Sequence, residues 1–138
     1  MAAITLRGRE IPLIYTVFEM KTIQEQIGPL GELMNKILGR NPENKEDMSG
    51  FGSAEHLGNL AALIRILGNA GLEEAGEAAD LTEKKILRAM KPDDLLGAIN
   101  ACMDAINEGM ASEIPDRAED EPVDVTLEEI NRKKDQAG

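Results

Sequence analysis

Apolar positions along this chain follow two rhythms, and the change from one to the other marks its elements. Ile4, Leu6, Ile11 and Leu13 sit at every second position on either side of Gly8-Arg9, the period of a strand, which predicts a β-hairpin over 4–14. Glycine at the first place of a two-residue loop supplies the positive φ of a type II′ turn. That loop pairs Arg7 with Glu10, Leu6 with Ile11 and Ile4 with Leu13 on one face. Pro12 cannot donate a ladder bond, so one side of the second strand should be an edge. Two strands alone are marginal, so the hairpin must lie on helices or gain a strand from another molecule.

From Thr16 onward the spacing becomes helical. Thr16-Val17-Phe18-Glu19 is a capping box, and Val17, Met20, Ile23 and Ile27 form the expected buried stripe of a helix over 17–27 that ends at Gly28-Pro29. Leu30, Leu33, Met34, Ile37 and Leu38 make a second short apolar face closing at Gly39. Arg40 to Gly52 is polar and rich in turn formers, a loop long enough to suggest mobility or function.

The most apolar stretch, Ser53 to Gly68, reads as a central helix wanting cover on most sides. Ser53 is its N-cap, Gly68 and Gly71 are stop signals, and the small residues Ala54, Gly58, Ala61 and Ala62 leave room for a neighbouring backbone. Gly71 to Asp80 leaves weak helix and loop both open. Thr82 caps a helix over 83–90 with Ile86, Leu87 and Met90 inward. Pro92-Asp93-Asp94 opens a last helix ending near Gly109, with Leu95, Leu96, Ile99, Cys102, Met103, Ile106 and Met110 as its stripe.

Beyond Ala111 the pattern dissolves. Nine acids and four bases, a net of −5, accompany few apolar residues in 112–138, the composition of a disordered acidic tail. Thr126-Leu127-Glu128-Glu129-Ile130 inside it is a second capping-box pattern and reads as a short helix, 127–134, that forms on binding. The expected architecture is mainly α: one small helical domain over 1–111, of about five helices with the N-terminal hairpin, followed by the tail.

Charge and composition narrow the partners. A net charge of −11 disfavours a nucleic-acid backbone or an anionic membrane, and with Phe18, Phe51 and Tyr15 as the only aromatics there is no stacking platform. The longest unbroken apolar run, Leu60 to Ile64, is far below the ~20 residues needed to span a bilayer. With one cysteine and no basic start followed by an apolar stretch, a reducing cytoplasm is expected.

Chemistry finds no foothold in the residues. His56, the one histidine, lacks a second ligand at metal spacing and reads as structural. Cys102 lies on an apolar stripe and reads as a packed thiol. Asn41, Glu43, Lys45 and Asp47 mimic a calcium loop, but Lys45 puts a cation where an oxygen is required. Gly50-Phe51-Gly52-Ser53 lacks the strand and lysine of a phosphate loop and reads as a hinge. No catalytic, cofactor or metal site is expected, and the protein reads as a non-enzyme. Surfaces remain: the hairpin edge, the side chains Met34, Met48, Phe51, Met103 and Met110, and Leu127 and Ile130 in the tail, all suited to holding a protein.

The run Ile11-Pro12-Leu13-Ile14-Tyr15-Thr16-Val17-Phe18-Glu19-Met20, followed by Ile23 and Gly28, resembles the opening of tail assembly chaperones from long-tailed bacteriophages and prophages. Leu81-Thr82-Glu83, Pro92 to Met110 with its Glu108-Gly109-Met110 ending, and Asp124 to Ile130 resemble the same family's layout. The resemblance implies a mostly helical, non-enzymatic and non-structural assembly factor of the host cytoplasm. Such a factor coats the tape measure protein, keeps it soluble and recruits tail tube subunits. A small acidic regulatory adaptor and a head–tail connector are the alternatives, and self-association is expected when no partner is bound.

Overall fold

The computed structural model describes residues 2–111 other than Lys45. The predicted disordered tail, the helix over 127–134 and the sites Leu127 and Ile130 lie outside the described residues. Within them the chain runs β1 (Ala3–Leu6), β2 (Arg9–Pro12), α1 (Val17–Gln26), α2 (Leu33–Leu38), α3 (Ala54–Glu74), α4 (Glu83–Arg88) and α5 (Leu95–Met110). Short 3₁₀ turns, Leu30–Glu32 and Pro92–Asp94, lead into α2 and α5. The expected class, a mainly helical fold with an N-terminal hairpin, is the observed one.

The central helix is longer than its glycines foretell. α3 passes through Gly68 and Gly71 and stops only at Ala75, a length of 21 residues, so the expected stops are wrong and the undecided stretch after Gly71 is helix as far as Glu74. The reason is packing. A Cβ on Gly71 would stand 1.8 Å from the Pro12 carbonyl oxygen, and one on Gly68 would stand 2.6 Å from Leu81 Cδ1. Both glycines are spent on close approach, which a helix interior tolerates at a cost of about 1 kcal/mol each relative to alanine. Of the four small residues expected to leave such room, Gly58 meets nothing within 4 Å, while Ala61 and Ala62 are buried.

Around α3 pack α1, α2, α4, α5 and β2, while β1 lies against α5. Leu60, Leu63, Ile64 and Leu67 of α3 are fully buried against Ile23, Ile37, Ile86 and Cys102 from the surrounding helices. Arg65, which interrupts the apolar run, donates to the Gln26 side chain at the end of α1. Asn69 clamps the segment before α4, donating to the Leu81 carbonyl at 3.2 Å and accepting from the Leu81 N–H at 3.0 Å.

The hairpin presents the expected apolar face in a different register. The observed pairs are Leu6 with Arg9, Thr5 with Glu10, Ile4 with Ile11 and Ala3 with Pro12, so the loop is Arg7-Gly8 and not Gly8-Arg9. Arg7 at φ 52 and Gly8 at φ 79 both lie in the left-handed region, as a type I′ turn requires, and that turn matches the twist of the strands. The expected Arg7–Glu10 pair is therefore absent. Ile4, Leu6, Ile11 and Leu13 still share one buried face, because moving the pairing by two positions returns every side chain to the same side.

Candidate protein-binding surface

The segment Ile11–Met20 is the corner between β2 and α1, and it is held from both sides. The Ile14 N–H donates to the Leu67 carbonyl at 3.1 Å, tying the corner to α3. One residue on, the Tyr15 carbonyl rests on Gly109 near the end of α5, where a Cβ would come within 2.2 Å of it. Burial also pushes the Tyr15 phenol above its ordinary pKa. At this same end of α5 the strand β1 begins, and the Ala2 N–H donates to Glu108 Oε1 at 3.0 Å. The N-terminal corner and the C-terminal turn of α5 are thus one packed unit.

Thr16 then starts α1 as the capping box predicts. Its N–H donates to Glu19 Oε1 at 2.9 Å and its hydroxyl accepts from the Phe18 N–H at 3.2 Å. The box turns Glu19 inward, where it is 7% exposed, and this sets the rotational phase of the helix. Ile23 is fully buried, with Met20 and Ile27 partly buried on its flanks. Val17, expected in that stripe, is 74% exposed, and Phe18 beside it is 69% exposed. At 100° per residue these positions lie about 120° and 140° round the helix from Ile23, on the far side from the core. Met110, one residue past the Tyr15–Gly109 contact, is 69% exposed.

The methionines named from the sequence divide between two places. Met34 on α2 and Met48 in the following loop are exposed, and Phe51, whose N–H donates to the Met48 carbonyl at 3.0 Å, is half-buried. Met103 and Met110 lie two turns apart on α5, where Met103 is partly buried against the core and Met110 is bare. Leu96, expected in the buried stripe of α5, is 60% exposed, and Ala98 and Ala105 take the inner positions instead. The positions that sequence reasoning misses are Val17 and Phe18 as surface. The phase set by Glu19 and Ile23 is the signal that finds them.

The polar side of the molecule is occupied with itself. A cleft of about 330 Å³ between α2, the loop after it and the start of α3 holds His56, which is 1% exposed. His56 Nε2 lies 2.7 Å from the Ile37 carbonyl and Nδ1 accepts from the Gly52 N–H at 2.9 Å, so the ring joins α2 to α3 with both nitrogens engaged. Phe51 lies against the ring at a centroid distance of 4.7 Å. The Ser53 side chain accepts the His56 N–H at 3.1 Å, which spends the helix N-terminus that an anion would need.

The loop before it is built of Asx turns. Asn41 Oδ1 accepts from the Glu43 N–H, Asn44 Oδ1 from the Glu46 N–H and Asp47 Oδ1 from the Ser49 N–H. The bond to Ser49, with help from Asn41, holds the Asp47 carboxyl below the usual range. Of the Gly50-Phe51-Gly52-Ser53 stretch, Gly50 and the Phe51 nitrogen pack against Gly39, where a Cβ would stand 2.5 Å from that nitrogen, while Gly52 meets nothing within 4 Å. Burial pushes the Cys102 thiol up to about 12, which keeps it protonated. Among the described residues no group of His, Cys, Asp or Glu is placed to hold a metal ion, and no helix is long and apolar enough to cross a membrane.

Comparison with protein-family models, with curated proteins and with solved structures finds no match. The surface must be read from its own chemistry. It offers three large apolar side chains beside one rigid contact, Val17, Phe18 and Met110, and the helix end that carries two of them is fixed by its cap.

Proposed function

We propose that this chain is a non-enzymatic tail assembly chaperone of a long-tailed phage or prophage. It holds the tape measure protein in solution in the bacterial cytoplasm and hands it to tail tube subunits. One observation carries the reading. The two segments that bear the family resemblance, Ile11–Met20 and the Glu108-Gly109-Met110 ending, meet at the Tyr15–Gly109 contact and leave Val17, Phe18 and Met110 bare around it.

The energetics suit a chaperone. Burying one such side chain contributes about 1.5–3 kcal/mol. Three of them, set against the cost of association, support a reversible attachment that an arriving tube subunit can displace. A rigid presentation adds to this, because the capping box and the Gly109 contact order the surface before any partner arrives. Without a partner the same surface favours self-association.

The test is co-expression of the tape measure protein with and without this chain, followed by fractionation and pull-down. The expected result is a tape measure protein that moves from the pellet to the supernatant and is recovered with the chain. Equal insolubility in both cultures contradicts the reading.

A further inference from the structure

Outside residues 112–138 the chain has 11 basic residues against 17 acidic ones, yet four of the bases surround a single groove. Arg7 and Arg9 from the hairpin and Lys85 and Arg88 from α4 rim a cavity of about 400 Å³ floored by Leu6, Ile11 and Leu81. Two of the four are already compensated. Arg9 pairs with Asp80 at 3.3 Å and Glu77 at 3.7 Å, and Lys85 lies 3.8 Å from Asp80.

Arg7 and Arg88 are not. Among the described residues neither has a carboxylate partner, and the Arg7 guanidinium donates to the Arg88 carbonyl at 3.2 Å. Arg7 is also the one non-glycine among the described residues with a positive φ, at a turn position that Asn, Asp or Gly fills more easily. The turn therefore aims a long cation over the groove at some conformational cost.

We propose that the occupant of this groove is the chain's own acidic segment, Glu113–Asp124, which docks there and pairs with Arg7 and Arg88. Charge complementarity is the first argument. Glu113, Asp116, Glu119, Asp120, Glu121 and Asp124 stand against Arg117 alone, so all of the net −5 carried by 112–138 lies in this half. Ile114 and Val123 supply apolar side chains for the floor.

Reach is the second. α5 ends beside the start of β1, where the Ala2 N–H donates to Glu108, and β1 runs from there to the groove. Four residues of strand cover about 13 Å. An extended chain covers about 3.3 Å per residue, so five residues beyond Ala111 span that distance and deliver Asp116 to Arg7. The remaining carboxylates of the segment follow along the rim toward Arg88. A second copy supplies the same charges but loses the high local concentration of a segment tethered five residues away.

The full-length chain carrying Ala118→Cys with a spin label, observed by paramagnetic attenuation of backbone amide signals, tests this. Cys102 is buried and stays unlabelled. The expected result at low ionic strength is loss of more than half the signal at Arg7, Gly8, Arg88 and Ala89. Recovery is expected near 1 M salt, where the screening length falls to about 3 Å. Neutralising the segment with D116N, E119Q, D120N, E121Q and D124N should restore the signals at low salt, and these changes leave the described core untouched. Undiminished signals at the four amides overturn the proposal. So does attenuation that survives neutralisation, or attenuation that appears equally when the label sits on a separate copy mixed with unlabelled protein.

Discussion

The hairpin and the first turn of α1 lie a few residues apart and both are apolar, yet Ile4, Leu6, Ile11 and Leu13 are all below 9% exposed while Val17 and Phe18 are 74% and 69% exposed. What differs is the surface opposite. The hairpin meets Gly68 and Gly71, two positions of α3 without side chains, so Pro12 and Leu81 settle against the helix itself. In the first turn of α1 the Val17 and Phe18 side chains face outward, because the Thr16–Glu19 cap rotates the helix to bury the carboxylate and Ile23 instead. Apolar sequence alone does not decide burial. The shape of the neighbour and the phase of the element do.

The comparison breaks most sharply at Gly71. A methyl group there has to displace the Pro12 carbonyl, so Gly71→Ala is expected to cost about 3 kcal/mol, at the upper end of overpacking, and to lower Tm by roughly 10 °C or more. Thermal denaturation checks it. Next in size is His56→Ala on the same covered side. It strands the Ile37 carbonyl and the Gly52 N–H, for an expected loss of about 2–3 kcal/mol in urea titration.

Cys102 and Met110 repeat the contrast on one helix, since the first is 0% and the second 69% exposed. The native thiol is held up to about 12 whereas the unfolded one ionises near 9.0, so above that value the folded state binds the extra proton. The stabilisation this gives is complete below pH 9.0 and declines as the pH rises toward 12. A shallower alkaline decline in Cys102→Ala, measured by urea titration across that range, is the expected result. The smallest effect on stability belongs to the bare turn. Val17→Ser with Phe18→Ser should shift the unfolding free energy by no more than about 0.5 kcal/mol in the same titration, as surface positions do.

How much of this was legible in the sequence follows from how local each signal is. Thr16, Ser53 and Thr82 read correctly as N-caps because a cap bonds two or three residues ahead and needs no tertiary partner. The buried face of the hairpin was legible from its period, but the register was not. Alternation cannot separate pairings that differ by two positions, and the left-handed conformation of Arg7 is not written in an arginine. Gly68 and Gly71 look like stops because glycine ends helices, and only the position of Pro12 reveals their use. Of the candidate surface, Met110 was legible as a thioether suited to binding, although the apolar stripe of α5 was drawn through it as well and its exposure breaks that stripe as Leu96 does. Val17 was lost to a stripe drawn through it without the phase that Glu19 imposes.

Whether Val17 and Phe18 hold the partner is tested most directly by the purified full-length chain and its V17D, F18D variant in a pull-down of the tape measure protein, with Tm recorded for both. The expected result is nearly equal Tm values and at least a tenfold loss of captured tape measure protein in the variant. Undiminished capture by a variant that melts with the wild type would contradict it.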